Sequence, residues 1–509
     1  MRSAAVAERE RIAARAAAST GDSGEPPADE AVVSTRVARE QTPLYANRIK
    51  VYPQAVRGLF RRLKWAVLTG CLAFYYLVPW LRWDRGPDAP SQAVLVDLPG
   101  RRLYFFWLEL WPQEVYFLTL ALIAGAVGLF LATSVLGRVW CGYTCPQTVW
   151  TDLFLWVERR IEGDRNARMR LDRQPWSARK LGLKVAKHAA WLAIAAATGG
   201  AWVMYFNDAP SVVREIARLE ASATVWTFFG MFTATTYLLA GWAREQVCTY
   251  MCPWPRFQAA MLDEHSVIVT YDARRGEPRG KHKAGESWEG RGDCVACSQC
   301  VVVCPTGIDI RDGQQLECIG CGLCVDACNS VMAKVGRPPN LITFDTLANQ
   351  RAAATGAPRR LVLLRPRTLL YAGVLAVVGL VTLAAFAWRT SVELTVLHDR
   401  APLYVTLADG SVRNDYTIKL LSKSRSERAF ALAVEGLPGL RVAADGADDL
   451  ALAARPDGVA TYRVHVTAPR GTLRAEAQNL SFVLREKGGG VELRRDSIFA
   501  GPRGGTGRP

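Results

Sequence analysis

No glycine-rich nucleotide loop, nicotinamide fingerprint or hydrolase triad signature occurs in these 509 residues. Histidine is scarce: there are five, and none makes the H-x-x-x-H pair that suits haem or zinc. Phosphate-driven, hydride-transfer and hydrolytic chemistry are therefore left without their usual residues. No stripe of Lys/Arg interleaved with aromatics appears, so the net charge of +16 does not read as a nucleic-acid surface. No secretory signal is visible, because the first long apolar stretch begins only near Trp65. The Ala/Arg-rich start resembles a transit peptide in composition, but it carries Glu8 and Glu10 and reads as a loose tail. Nothing after Thr390 is cysteine, so no disulfide staples that region.

Sulfur is concentrated elsewhere. Of 13 cysteines, eight lie between Cys294 and Cys328 in two runs of C-x2-C-x2-C-x3-C. In two-cluster ferredoxins the fourth cysteine of each run serves the other cluster. That pattern assigns Cys294, Cys297, Cys300 and Cys328 to one [4Fe–4S] cluster, and Cys318, Cys321, Cys324 and Cys304 to a second. Zinc modules use separated C-x2-C pairs rather than triplets, and disulfides suit a different compartment. Gly320, Gly322, Ala296, Ala327 and Pro305 would let backbone pass close to sulfide.

Half of the chain is hydrophobic although it holds 63 Lys+Arg, a mixture that fits a membrane protein with basic loops. Five uncharged stretches approach the roughly 20 residues that a bilayer core demands: 65–81, 115–136, 189–207, 221–243 and 368–388. Eleven Lys/Arg lie between residues 137 and 188, against two between spans three and four. The positive-inside rule then puts residues 1–47 (a disordered tail), the second loop and residues 244–367 in the cytoplasm. Everything after Arg389 falls outside. There, alternation at Tyr416, Ile418 and Leu420, at Tyr462, Val464 and Val466, and at Leu480, Phe482 and Leu484 predicts a β-sandwich over 390–500, with a loose tail at 501–509.

The membrane region, 48–243, contains a duplication. Cys141-x3-Cys145-Pro146 follows the first hairpin, and Cys248-x3-Cys252-Pro253 follows the second. Proline disfavours helix in the preceding residue, so Cys145 and Cys252 are expected just past a helix end, with a new helix over 146–162. These thiols could bind Cu(I) with Met251 as a thioether, act as redox dithiols, hold a further cluster, or simply pack. Cys71, alone in the first span, reads as packing. His188 opens the third span as a membrane-edge or ligand residue, with interfacial packing the plainer role.

Together W-C-G-Y-T-C-P-Q-T-V-W-T-D (140–152), C-T-Y-M-C-P-W-P-R-F-Q (248–258) and V-C-P-T-G-I-D-I-R-D-G (303–313) resemble the CcoG/FixG/RdxA family of bacterial cytochrome c oxidase accessory proteins. The likeness runs from Tyr45 to Ala500; Asn329 replaces the proline expected after Cys328. The resemblance implies a multi-domain inner-membrane protein: a five-span α-helical bundle, an inserted cytoplasmic dicluster ferredoxin-type domain and a periplasmic immunoglobulin-like β domain. It also implies reduction of Cu(II) to Cu(I) for the cbb(3)-type oxidase. On the residues themselves, copper as substrate is expected near Cys141, Cys145, Cys248 and Cys252. Expected partners are the oxidase assembly machinery, copper chaperones or transporters and a cytoplasmic electron donor, with a homodimer open. The competing readings are a quinol-linked membrane electron carrier and a redox-sensing scaffold.

Overall fold

The computed structural model describes residues 50–502 except 87–88, 284, 425, 447 and 457. The tail expected over 1–47 and the end beyond residue 502 lie outside them. The chain divides into two compact units at Leu375.

Helices stand at all five apolar stretches of the sequence: α1 (Leu59–Leu77), α2 (Val115–Leu136), α4 (Ala178–Met204), α5 (Ala223–Thr236, continued as a π-helical turn Tyr237–Ala243) and α8 (Pro366–Ala387). Two, Pro112–Leu136 and Pro366–Ala387, are long and apolar enough to cross a membrane. Almost none of either is buried; Leu122, Leu370 and Leu383 stand exposed. Water would not tolerate such surfaces, whereas hydrocarbon would. The other three fall short for visible reasons. Helix α1 starts at Leu59, six residues before the expected span, and so includes Arg61, Arg62 and Lys64. Helix α4 opens on Arg179, Lys180, Lys184 and Lys187. Helix α5 changes winding after 14 residues.

Small residues and hydroxyls bind these helices. A Cβ on Gly199 of α4 would lie 2.7 Å from the Phe229 carbonyl oxygen of α5, so the backbones touch only because glycine is there. Thr198 anchors three elements at once. Tyr75 Oη donates to its carbonyl at 2.8 Å, Tyr76 Oη meets its hydroxyl at 2.8 Å, and Trp150 Nε1 of α3 (Pro146–Glu162) donates to that hydroxyl at 2.9 Å. Between α1 and α2 the chain forms a small antiparallel meander, β1 (Val94–Asp97), β2 (Arg102–Phe105) and β3 (Leu108–Leu110), which the hydropathy pattern did not announce.

After α6 (Trp254–Met261) comes the cysteine-rich part. Strand β4 (Ile268–Tyr271) pairs antiparallel with β5 (Ile342–Asp345), and α7 (Leu323–Lys334) lies between them in sequence. Val269, Ile310, Val325, Met332 and Ile342 share one core with Cys294, Cys300 and Cys328. Residues 277–322 hold little regular structure.

Helix α1 is fastened to α7 at its amino end. The Asp326 carboxylate accepts from the backbone N–H of Phe60 at 3.2 Å and of Arg61 at 2.8 Å, filling the role of an N-cap from another element.

The second unit carries the β domain. One sheet runs β10 (Arg441–Ala444), β12 (Gly458–Ala468), β8 (Val412–Ser422), β6 (Val392–His398), with β7 (Val405–Thr406) on β8. The other runs β11 (Ala451–Ala454), β9 (Arg428–Glu435), β13 (Ala477–Glu486), β14 (Glu492–Ala500). Tyr416, Ile418, Leu420, Val464, Val466, Leu480, Phe482 and Leu484 fill the space between them. Each large side chain removed from water contributes roughly 1.5–3 kcal/mol, which replaces the missing disulfide. Asn414 of β8 joins the sheets through both its amide atoms, to Ala500 O at 2.7 Å and Ala500 N at 2.8 Å.

Candidate functional site

Each C-x3-C-P segment folds as a π-helical turn, Trp140–Thr144 and Val247–Met251, followed by an extended residue, Cys145 or Cys252. The sequence places those cysteines just past a helix end, and so they lie; the wider winding is what the spacing did not reveal. Pro146 then opens α3, as expected. Helix α3 is tied to the chain that leads into the second turn: Gln147 Nε2 donates to the Leu239 and Arg244 carbonyls at 2.8 and 3.1 Å.

All four thiols come together. Cys141, Cys145, Cys248 and Cys252 line one cavity of about 350 Å³. Burial pushes the Cys141 thiol up to about 12, and Cys145, Cys248 and Cys252 push it the same way. Cys248 is likewise pushed up to about 12 by burial, then by Cys145 and Cys252. Cys141 Sγ meets Gln258 Oε1 at 3.0 Å, and Gln258, fully buried, donates onward to Thr133 Oγ1 at 3.2 Å. Met251 is 62% exposed, so the thioether suggested by the sequence does not join the cavity wall.

The eight central cysteines form two neighbourhoods. Burial raises Cys328 to about 12, and its thiol neighbours are Cys300, Cys294 and Cys297. Burial raises Cys324 strongly, and the thiols of Cys321, Cys318 and Cys304, then Cys300 of the other quartet, push it the same way. Cys318, also raised to about 12 by burial, meets Cys321 and Cys304. The loops around them turn through left-handed backbone at Ala296, Ser298, Gly320 and Gly322. All thirteen cysteines are unbridged. Soft sulfur donors in quartets, crowded by backbone, fit iron–sulfur cubes. Among the described residues no three His, Cys, Asp or Glu converge tightly enough to hold a single metal ion.

The four-thiol cavity and the second quartet touch. Cys318 and Ile319 line that cavity too. Tyr143 Oη donates to the Cys321 carbonyl at 3.0 Å. Arg138, buried, donates to the carbonyls of Leu316, of Cys318 at 3.1 Å and of Pro255 at 2.5 Å, and its charge faces both the Cys141 and Cys318 thiols. Lys64, also buried, faces Cys248 and Cys321 in the same way.

Gly142 is where the two loops meet. A Cβ there would lie 2.8 Å from the Ile319 carbonyl oxygen and 3.1 Å from the Cys321 Cα and N. Gly142→Ala should therefore cost about 1–3 kcal/mol by overpacking. A lowered midpoint of thermal unfolding in detergent, with Gly70→Ala in open space on α1 as the harmless control, would register it.

Arg61, Lys64, Arg138 and Gln258 escaped the sequence reading as site residues. Arg61 and Lys64 stand just before the first uncharged stretch, Arg138 counts only among the eleven basic residues of 137–188, and Gln258 stands only within a quoted motif. Of the eleven Lys/Arg in 137–188, Arg138, Arg168, Lys180 and Lys187 are buried.

Comparison with known proteins adds three family matches: a 4Fe-4S dicluster domain over 243–347, a 4Fe-4S binding domain over 118–164, and an Ig-like fold at the C-terminus of FixG over 382–502. The chain is 50% identical over 486 residues to the nitrogen fixation protein FixG of Rhizobium meliloti, covering 89% of this chain and 93% of that one. It is 50% identical to protein RdxA of Cereibacter sphaeroides (84% and 92% covered) and 47% identical to protein RdxB of the same organism (91% and 98%).

Proposed function

The chain belongs to the FixG/RdxA family of iron–sulfur proteins, and from that premise we propose that it reduces Cu(II) to Cu(I) beside the inner leaflet of a bacterial membrane, for assembly of a cbb(3)-type oxidase. One observation carries this reading: four duplicated thiols share a cavity with Cys318 of the second cysteine quartet. In this reading Cys294, Cys297, Cys300 and Cys328 hold one [4Fe–4S] cluster, and Cys304, Cys318, Cys321 and Cys324 the other. When bound, the clusters supply one-electron transfer.

The chain's own residues do the rest. Thiolates favour Cu(I) over Cu(II), so Cys141, Cys145, Cys248 and Cys252 stabilise the product. Copper is a passing substrate here, which suits thiols gathered around a cavity rather than fixed about a point. Gly142 and Tyr143 keep the copper side and the cluster side in contact. Gln258 holds the Cys141 thiol in place.

Five crossings complete the proposed layout, with the amino end and the clusters cytoplasmic and the β domain periplasmic. The lean of Lys/Arg toward the second loop supports it, as does the reducing compartment that oxygen-sensitive cluster cysteines need. The β domain would then face oxidase subunits and copper chaperones or transporters. A second reading has a specific observation behind it: the 4Fe-4S binding match over 118–164 contains Cys141 and Cys145. The duplicated pairs would then hold a third cluster. Anaerobic protein should contain eight iron and eight acid-labile sulfide per chain, and Cu(II) should oxidise dithionite-reduced protein. Twelve of each would favour the third cluster, and inertness to Cu(II) would remove copper from the account.

A further inference from the structure

A second cavity, of about 330 Å³, opens where α4 begins and the π-helical turn 237–243 ends. His188, Trp191, Trp242, Arg244 and Glu245 line it. Trp191 is buried, with the His188 ring against its edge at 5.2 Å. His188 Nδ1 is bound to Tyr237 Oη at 2.8 Å, which fixes the ring and leaves Nε2 as the atom for a ligand. Trp242 is 70% exposed on a chain segment that the five-span layout sets at the membrane edge.

The cations around this cavity are matched by acids. Lys184 pairs with Glu162 at 2.9 Å and Asp172 at 2.6 Å, Lys187 with Glu162 at 2.9 Å, Arg244 with Glu158 at 3.1 Å, and Lys50 with Asp172 at 2.7 Å. With Arg168, which also meets Glu158 at 2.7 Å, five positive groups stand there against Glu158, Glu162, Asp172 and Glu245, and each of the lining cations already has a carboxylate partner. A lipid phosphate would have to compete with those carboxylates for every cation. A neutral, flat, lipid-soluble ring with oxygen at each end would gain stacking from indole and hydrogen bonds from imidazole.

The cavity also leads to the site already described. Arg244 and Glu245 line a smaller neighbouring cavity together with Lys64, Cys248, Thr306 and Ile319. We propose that the His188–Trp242 cavity binds a membrane quinol, which serves as electron donor to the iron–sulfur chain. Oxidation of one quinol breaks two O–H bonds and leaves the quinone. Its two electrons depart singly to two one-electron iron–sulfur acceptors, one proton goes to His188 Nε2, and the other goes to water. The inference rests on the five-span layout and on the iron–sulfur part of the proposed function, not on copper.

The test uses the anaerobic holoprotein in phosphatidylcholine nanodiscs. The probe is the quinol analogue 2-heptyl-4-hydroxyquinoline N-oxide, whose fluorescence is quenched on binding. Wild type should bind it, and decylubiquinol should change the cluster paramagnetic-resonance signal. His188→Phe should weaken probe binding by about tenfold, the worth of one good hydrogen bond. Trp242→Ala, at an exposed side chain, should weaken it by about fivefold. Iron and sulfide content reports that each variant is loaded. Equal probe binding by wild type and both variants, or none by wild type, overturns the proposal. Probe binding and quinol-driven cluster reduction in protein that ignores Cu(II) would sink the copper reading and leave this one standing. Copper reduction by dithionite-loaded protein that never binds the probe would do the reverse.

Discussion

Replacing Cys248 and Cys252 together by serine is expected to abolish copper reduction while the visible iron–sulfur absorbance stays. Changes merely outside a metal's ligand set cost 10–100-fold in affinity or activity, so losing two ligands should exceed about 100-fold. The pair is chosen for its surroundings. Cys252 is exposed and Cys248 half-buried, so serine leaves no large hole in either place. Cys141 is less suitable, because its thiol is bonded to the fully buried Gln258. The measurement is anaerobic transfer of electrons from dithionite-reduced protein to Cu(II), followed with a Cu(I) chelator, beside iron and sulfide analysis. Reduction at the wild-type rate would mean that copper is taken elsewhere. Loss of four iron per chain from a starting twelve would instead mark the pairs as cluster ligands.

The contrasting substitution is Cys318→Ser. It lies on the wall of the same cavity but within the second quartet. Iron should fall by about four per chain, since a [4Fe–4S] cube needs its thiolate corner. The two experiments separate the sides of one cavity: under the proposed function, one variant would lose the seat for copper and the other the source of electrons.

Much of this geometry could be read from covalent spacing. Two interleaved C-x2-C-x2-C-x3-C runs must bring distant cysteines together, because three-residue loops leave few other ways to wrap a cube. Proline at 146 fixed where one helix ended and the next began. Alternation at 416–420 and 480–484 marked strands, since a half-buried sheet has no other period. What escaped were contacts whose partners lie far away in the chain. Asp152 is 91 residues from Arg61, and nothing in the local pattern says that a basic flank will turn inward to meet it. The same holds for Arg138, whose carbonyl partners Leu316 and Cys318 are 178 and 180 residues away. The five-span pattern comes from uncharged runs, yet α1 and α4 begin among basic residues, so among the described residues two helices meet the length and composition of a span outright. Basic residues counted as loop charge prove in part to be internal ion-pair partners: Arg168 meets Glu158 at 2.7 Å with both buried.

Lys64→Met should lower the reduction potential of the second cluster by tens of millivolts. Lys64 and Asp152 are both buried, 3.6 Å apart, and Arg61 donates to both carboxylate oxygens of Asp152 at 3.0 and 2.8 Å. Burial alone would raise the Asp152 carboxyl, but Lys64 and Arg61 outweigh it and hold it below the usual carboxylate range, so it stays ionised. Two cations on one carboxylate leave one net positive charge, and that charge faces Cys321 and Cys248. Adding an electron to a cluster adds negative charge, which a nearby cation stabilises. Removing the cation therefore makes reduction harder. At about 10 Å and an effective dielectric near 20, a unit charge is worth about 1.7 kcal/mol, or about 70 mV for one electron. Lys64→Arg, which keeps the charge, should restore most of the potential even if packing suffers, whereas a purely structural lysine would leave both variants shifted alike. Asp152→Asn should move the potential upward, because it strips the carboxylate from two cations. Redox titration of the paramagnetic cluster signals in the three variants reads the sign directly. The same shift bears on rate: a more negative second cluster drives copper reduction harder but fills more slowly from a mild donor. If quinol is that donor, Lys64→Met should slow quinol-driven reduction while leaving dithionite-driven reduction complete.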